Sequence, residues 1–147
     1  MSYPDPGAEL PRLCFLSYRQ IREFAVPVIA EYTGRAQIEV VDGTFGGALA
    51  IARDRVERGL ADAFVSAGSN ASILRAGLQA PVATIQLTGF DILQALIRAR
   101  SIADRVGVVM YGQPIPELDA VKDLLSIEIV QHAYQTPDDA RQRFEQL

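Results

Sequence analysis

The chain has 147 residues, 49% of them apolar and 22% charged, with a formal net charge of −4. That length can bury a core but is short for two complete α/β domains, and the acidic balance excludes a basic field that holds nucleic acid without sequence preference. No apolar stretch approaches the roughly 18 residues of a membrane span, Met1 to Pro11 lacks the basic-then-apolar pattern of a signal peptide, and the lone Cys14 cannot close an internal disulfide, so the expected compartment is the cytoplasm.

Residues 1–10 are polar and rich in Pro and Gly and are expected to form a flexible terminus. The first predicted strand is Leu13–Ser17, where Cys14 reads as a packed core thiol. A helical face follows at Ile21, Phe24, Ala25, Val28, Ile29 and Tyr32, with a kink expected at Pro27. The strand Gln37–Val41 leads to a helix from about Gly46 to Gly59. The strand Ala63–Ser66 leads to a helix over Ser69–Ala76, and Val82–Leu87 to the best-patterned helix, Asp91–Arg100. There Ile92, Leu93, Leu96 and Ile97 make one apolar stripe. Val106–Tyr111 and Ile127–Val130 are the last predicted strands, separated by a helix over Pro116–Leu125. The final helix opens at Thr136-Pro137-Asp138-Asp139, with Thr136 as N-cap, Pro137 at the first helical position and two carboxylates in the positive first turn.

The strands are near-continuous apolar runs, which suits a parallel sheet covered on both faces. Strands alternating with helices give a doubly wound α/β fold: a flavodoxin-like first lobe over 11–104, then the start of a second similar lobe over 105–147. The right-handed crossover rule predicts the strand order 2-1-3-4 in the first lobe. The seam is placed at the charged stretch Ser101–Arg105. The second lobe, with about two βα units, reads as incomplete, and Phe144 and Leu147 are expected to lack partners.

Ligands on open α/β sheets bind beyond the carboxyl ends of the strands. The loops there are Ser17-Tyr18-Arg19, Asp42-Gly43-Thr44-Phe45, Ser66-Ala67-Gly68-Ser69-Asn70, Thr88-Gly89-Phe90-Asp91 and Tyr111-Gly112-Gln113. Hydroxyls, amides, glycines and one cation can meet an anion with N–H groups at helix starts plus a guanidinium. The candidate binding residues are therefore Ser17, Arg19, Thr44, Gly68, Ser69, Asn70, Thr88 and Gly89. Plain helix capping explains Ser69 or Asn70, and Thr88 or Asp91, equally well loop by loop. Convergence of several such loops on one rim favours binding.

Catalytic patterns fare poorly. His132 is the only histidine and follows a predicted strand, so no Ser–His or metal-binding pair is expected from it within one chain. Ser66-Ala67-Gly68-Ser69 is not a G-x-S-x-G elbow. Gly43-Thr44-Phe45-Gly46-Gly47 has the wrong spacing for a dinucleotide fingerprint, and no phosphate-binding G-x-x-x-x-G-K-[ST] loop is present. A phosphoacceptor receiver needs acidic residues after the first strand and an aspartate ending the third, where this chain has Ser17-Tyr18-Arg19 and Ser66. No cofactor or metal is expected, and the chain is read as a non-enzyme.

The segment Ala61-Asp62-Ala63-Phe64-Val65-Ser66-Ala67-Gly68-Ser69-Asn70, then Ala80-Pro81-Val82, then Gly89-Phe90-Asp91-Ile92-Leu93-Gln94-Ala95-Leu96 resembles the amino-terminal sensor domain of the propionate-catabolism activators. The likeness continues through Gly107-Val108-Val109-Met110-Tyr111, Ile115-Pro116 and Thr136-Pro137-Asp138-Asp139-Ala140-Arg141, covering about residues 11–147. It implies a two-lobed receptor fused to an ATPase module that acts on the nitrogen-type alternative sigma factor (sigma-54), and then to a helix-turn-helix DNA-binding domain. It also implies an effector, 2-methylcitrate or a related carboxylate, that relieves repression of the ATPase. Where the family has Ser-Gly-Tyr-Asp this chain has Thr88-Gly89-Phe90-Asp91, which keeps the hydroxyl and loses the phenol. The expected partners are that carboxylate, the ATPase and DNA-binding modules of the same protein, and further copies of the chain as a homo-oligomer. No membrane and no direct nucleic-acid contact are expected. Two alternatives stand beside this reading: a small two-lobed α/β enzyme of racemase or lyase type, and a pure protein-interaction module.

Overall fold

A computed structural model describes residues 9–147; the flexible terminus expected for 1–10 lies largely outside the described residues. The chain divides into two compact units, the first ending at Ile85 and the second running from Gln86 to Leu147. In the first unit the elements run β1 (Arg12–Ser17), α1 (Arg19–Ala30), β2 (Gln37–Asp42), α2 (Phe45–Glu57), β3 (Ala63–Ala67), α3 (Gly68–Gly77) and β4 (Val82–Ile85). The four strands form a parallel sheet in the order β2-β1-β3-β4, as the handedness rule predicts.

Alternation along β1 sends Cys14 and Leu16 to one face and Leu13 and Phe15 to the other. Cys14 and Leu16 join Phe64 of β3, Ala48 and Ala52 of α2, and Leu74 of α3 in a buried apolar core. Ala48 and Ala52, four residues apart and fully buried, present a flat stripe that lets α2 sit close to the sheet. Burial pushes the Cys14 thiol up to about 11. At the edge, Glu39 accepts a bidentate pair of hydrogen bonds from Arg55 (2.8 and 2.9 Å), which holds the Glu39 carboxyl below its ordinary range.

The opposite face is more open. Pro27 does not divide α1, which runs as one helix from Arg19 to Ala30. The residue is exposed, so the carbonyl it leaves without a donor can meet water. No α1 residue is buried, and an apolar groove of about 520 Å³ lies between its Ile21, Phe24 and Val28 and the sheet residues Leu13, Phe15 and Val65.

α2 and α3 are in tight contact at Gly77, where an added Cβ would lie 2.6 Å from Cδ1 of Leu49. Alanine improves helix propensity by up to about 1 kcal/mol, but overpacking a tight contact costs about 1–3 kcal/mol. Gly77→Ala is therefore expected to destabilise the protein, by up to about 2 kcal/mol, read as a lower denaturant midpoint at unchanged slope. An unchanged or raised midpoint would mean that Leu49 simply rotates away.

The second unit contains α4 (Gly89–Arg100), β5 (Arg105–Tyr111), α5 (Leu118–Leu125), β6 (Glu128–Tyr134) and α6 (Pro137–Glu145), with β5 and β6 paired in parallel. Its core gathers Leu96 of α4, Leu118 and Leu125 of α5, and Ile127, with Ile92, Leu93, Val106 and Val108 packed around them. The sequence reading assigns α4 to the first lobe; in the structure its Ile92, Leu93 and Leu96 join the core of the second unit, while Ile97 of the same stripe is exposed. Gly107 has no side chain, and Leu147 packs into the space that a Cβ there would take. The expectation that Leu147 lacks a partner is thus corrected, whereas Phe144 is indeed exposed. The start of α6 matches its sequence signature: the Thr136 hydroxyl accepts from the N–H of Asp139 at 3.1 Å, with Pro137 at the helix start.

Candidate functional site

Because the strands of the first unit are parallel and each of the first three is followed by a helix, β1, β2 and β3 deliver the starts of α1, α2 and α3 to one edge of the sheet. The two turns after β2 and β3 are built alike. Each helix opens with a residue of left-handed backbone, Phe45 (φ 48°) and Gly68 (φ 54°). Glycine adopts this freely, while Phe45 does so at a cost of about 1–2 kcal/mol.

What holds Phe45 there is Asn70. Its side chain is fully buried; Oδ1 accepts from the Phe45 N–H at 2.9 Å and Nδ2 donates to the Gly43 carbonyl at 2.7 Å. The Gly43 N–H in turn donates to the Ser17 carbonyl at 3.2 Å. Ser69 and Tyr18 share a hydroxyl–hydroxyl hydrogen bond, tying the first turn of α3 to the start of α1. Ser66 donates from Oγ to the Leu16 carbonyl. The three turns are thus interlocked into one surface, and rigid support of this kind is what a binding loop needs.

Ser17 stands apart in this network. Its side chain is 1% exposed, yet Oγ has no hydrogen-bond partner among the described residues. A buried hydroxyl without a partner costs about 1–3 kcal/mol and calls for an explanation, such as a group that is bound in the working protein. Arg19 is exposed at the first position of α1 and has no ion-pair partner among the described residues. Thr44 is the N-cap residue of α2; its side chain makes no capping bond, which leaves the exposed hydroxyl uncommitted. Gly68 is exposed at the head of α3.

The structure therefore brings Ser17, Arg19, Thr44, Gly68, Ser69 and Asn70 to one edge of the first unit. Thr88 and Gly89 belong to the second unit, where they start α4. There the Thr88 hydroxyl and Asp91 form a capping box: Asp91 N–H donates to Thr88 Oγ1 at 3.2 Å, and Thr88 N–H donates to Asp91 Oδ2 at 2.8 Å. The Thr88 hydroxyl, which also donates to Asp91 Oδ2 at 2.6 Å, and then the Thr88 N–H keep the Asp91 carboxyl below its ordinary range. Ser69 and Asn70 are not N-caps, contrary to the capping alternative. The helix starts one residue earlier, after Ala67, and both side chains reach other loops instead.

Sequence reasoning passed over two features of this edge. One is Tyr18 as the partner of Ser69. The other is an ion pair between Arg22 and Asp42 at 3.2 Å, which puts a second guanidinium beside the carboxyl end of β2. The helical spacing of Arg19 and Arg22, one turn apart, was the available signal.

A family profile described as propionate catabolism activator matches residues 32–147. That span takes in Thr44, Gly68, Ser69, Asn70, Thr88 and Gly89 and leaves Ser17 and Arg19 outside it. Among solved structures, an NtrC family transcriptional regulator from Clostridium acetobutylicum is similar, with a TM-score of 0.77 over 95% of this chain and 76% of that one. At 16% identity the shared property is the fold. The family match covers most of the sequence and falls on the doubly wound α/β fold expected for it: the chain belongs to the propionate catabolism activator family.

Proposed function

We propose that this chain is the metabolite-sensing regulatory domain of a sigma-54-dependent activator of propionate catabolism, acting in the cytoplasm. Its effector is a small carboxylate, 2-methylcitrate or a close relative, bound at the carboxyl edge of the first unit's sheet. Binding relieves repression of an ATPase module elsewhere in the same protein, which works as a homo-oligomer and reaches DNA through a separate helix-turn-helix domain. The observation that carries the site is the buried, unpartnered hydroxyl of Ser17 on the edge where three helices begin.

The chemistry suits an anion. A tricarboxylate leaving water needs several charge-assisted hydrogen bonds. Helix starts supply N–H groups that intrahelical bonding leaves over, and Ser17, Thr44 and the Arg19 guanidinium add donors. Asn70 contributes by fixing Phe45 and Gly43, because both ends of its amide are already engaged. Sensing fits better than turnover: a racemase or lyase of this kind wants paired cysteines or an acid–base pair facing the cleft, whereas the one cysteine, Cys14, is fully buried and its thiol is pushed up to about 11.

Calorimetric titration with 2-methylcitrate, beside citrate and propionate, tests this reading. At a ligand concentration near 100 times the dissociation constant, the bound protein gains about 2.7 kcal/mol of stability. Arg19→Ala should weaken binding by roughly one to two orders of magnitude, the worth of a hydrogen bond to a charged group, and should reduce its salt dependence. Ser17→Ala should lower affinity while leaving the free protein as stable or more so, since it removes an unsatisfied buried group. No heat and no melting shift with any of the three acids would remove this edge from consideration.

A further inference from the structure

The edge carries a carboxylate where an anion is to bind. Of the last residues of β1 to β4, namely Ser17, Asp42, Ala67 and Ile85, only Asp42 is charged. Asp42 sits directly across the ladder from Ser17, the residue with the unpartnered buried hydroxyl. In the free protein its Oδ2 is 3.2 Å from Nη1 of Arg22, and both side chains are about half exposed. Arg22 lies three residues after Arg19 on α1, so the two arginines share one face of the helix start.

An exposed pair of this kind holds weakly, because water competes for both partners and each side chain loses rotamer freedom. A ligand that carries several carboxylates can therefore take Arg22 from Asp42, provided that it also gains the other donors of the edge. A monocarboxylate anchored by its single group has no second carboxylate to exchange for Asp42, and it still meets the repulsion of that side chain. We propose that Arg22 is the second cation of the carboxylate site and that Asp42 is its resident counter-ion, displaced by ligand, so that the pair selects multiply charged over singly charged carboxylates. This rests on the reading of the edge as a carboxylate site and adds to it the residue pair that sets selectivity.

A double-mutant cycle on the protein, titrated calorimetrically with citrate, 2-methylcitrate and propionate, separates the possibilities. Asp42→Asn should tighten citrate and 2-methylcitrate binding about three- to tenfold, the scale of an exposed ion pair plus like-charge relief. Arg22→Gln should weaken tricarboxylate binding roughly tenfold or more. The decisive quantity is the gain from Asp42→Asn measured in the Arg22→Gln background, which should shrink if Asp42 acts by holding Arg22. An equal gain in both backgrounds would reduce Asp42 to a surface charge and overturn the proposal, as would unchanged affinity in Arg22→Gln. Because both residues are half exposed, melting temperatures of the free variants should stay close to that of the parent. If the unmutated protein binds none of the three acids, the carboxylate site itself is wrong and the pair has no ligand to select. If it binds while Arg22→Gln binds equally well, only this inference fails.

Discussion

Asn70→Ala is expected to be one of the most damaging single substitutions at the candidate site, although it removes no apolar packing of note. The side chain is fully buried and uses both ends of its amide, Oδ1 for the Phe45 N–H and Nδ2 for the Gly43 carbonyl. Truncation leaves one donor and one acceptor without partners in partly buried surroundings, at about 1–3 kcal/mol each. Release of Phe45 from its left-handed backbone returns about 1–2 kcal/mol. The net loss should be about 2–4 kcal/mol, a large share of the 5–15 kcal/mol by which domains are stable, measured as a fall in the urea midpoint. Asn70→Asp gives a sharper check. The introduced carboxyl can still accept from Phe45, but its second oxygen faces the Gly43 carbonyl, so the folded protein favours the protonated form and its pKa rises above that of the unfolded chain. Its contribution is then fully present below the ordinary carboxylate range and is lost as pH rises through the raised value. Asn70→Asp should therefore regain stability on acidification relative to Asn70→Ala. Parallel pH profiles for the two variants would show that the amide is not the clamp described above.

Much of the fold was legible because its determinants are local. Apolar runs alternating with helical periods mark each βα unit, and the handedness of crossovers then restricts the strand order. Thr88 with Asp91, and Thr136 with Asp139, could be read as helix starts because cap and partner lie three residues apart. The site was legible only as a set of loops. Asn70 engages Phe45 and Gly43, 25 and 27 positions away, and Ser69 meets Tyr18 across 51 positions. No periodicity encodes such pairings, so local reasoning reached for the nearest local role, the N-cap. The left-handed start at Gly68, which shifts the helix one residue upstream, defeats that role. The packing of α4 failed to show for a related reason. An apolar stripe announces that a helix face is buried without saying which sheet buries it, and Leu96 turns out to pack with Leu118 and Ile127.

Phe64→Ala should lower stability by about 3–5 kcal/mol, the usual cost of removing a buried aromatic ring from a packed core. Phe64 is the largest fully buried side chain of the first unit, and it packs with Cys14, Leu16, Ala48, Ala52 and Leu74. Alanines on α2 cannot extend to fill the space, and β3 is held between β1 and β4, so little collapse can reduce the cavity. The loss also reaches the candidate site. Phe64 sits three residues before Ala67, at which β3 ends and the turn to Gly68, Ser69 and Asn70 begins. Hydrogen exchange of β1 and β3 amides should accelerate strongly, with those of β5 and β6, whose core is built on other residues, as the internal reference. If the edge binds a carboxylate, saturating citrate should recover part of the lost protection, by the same linkage that stabilises the parent protein. Phe64→Ala with exchange rates in β1 and β3 like those of the parent would mean that the core relaxes around the missing ring far more freely than its packing implies.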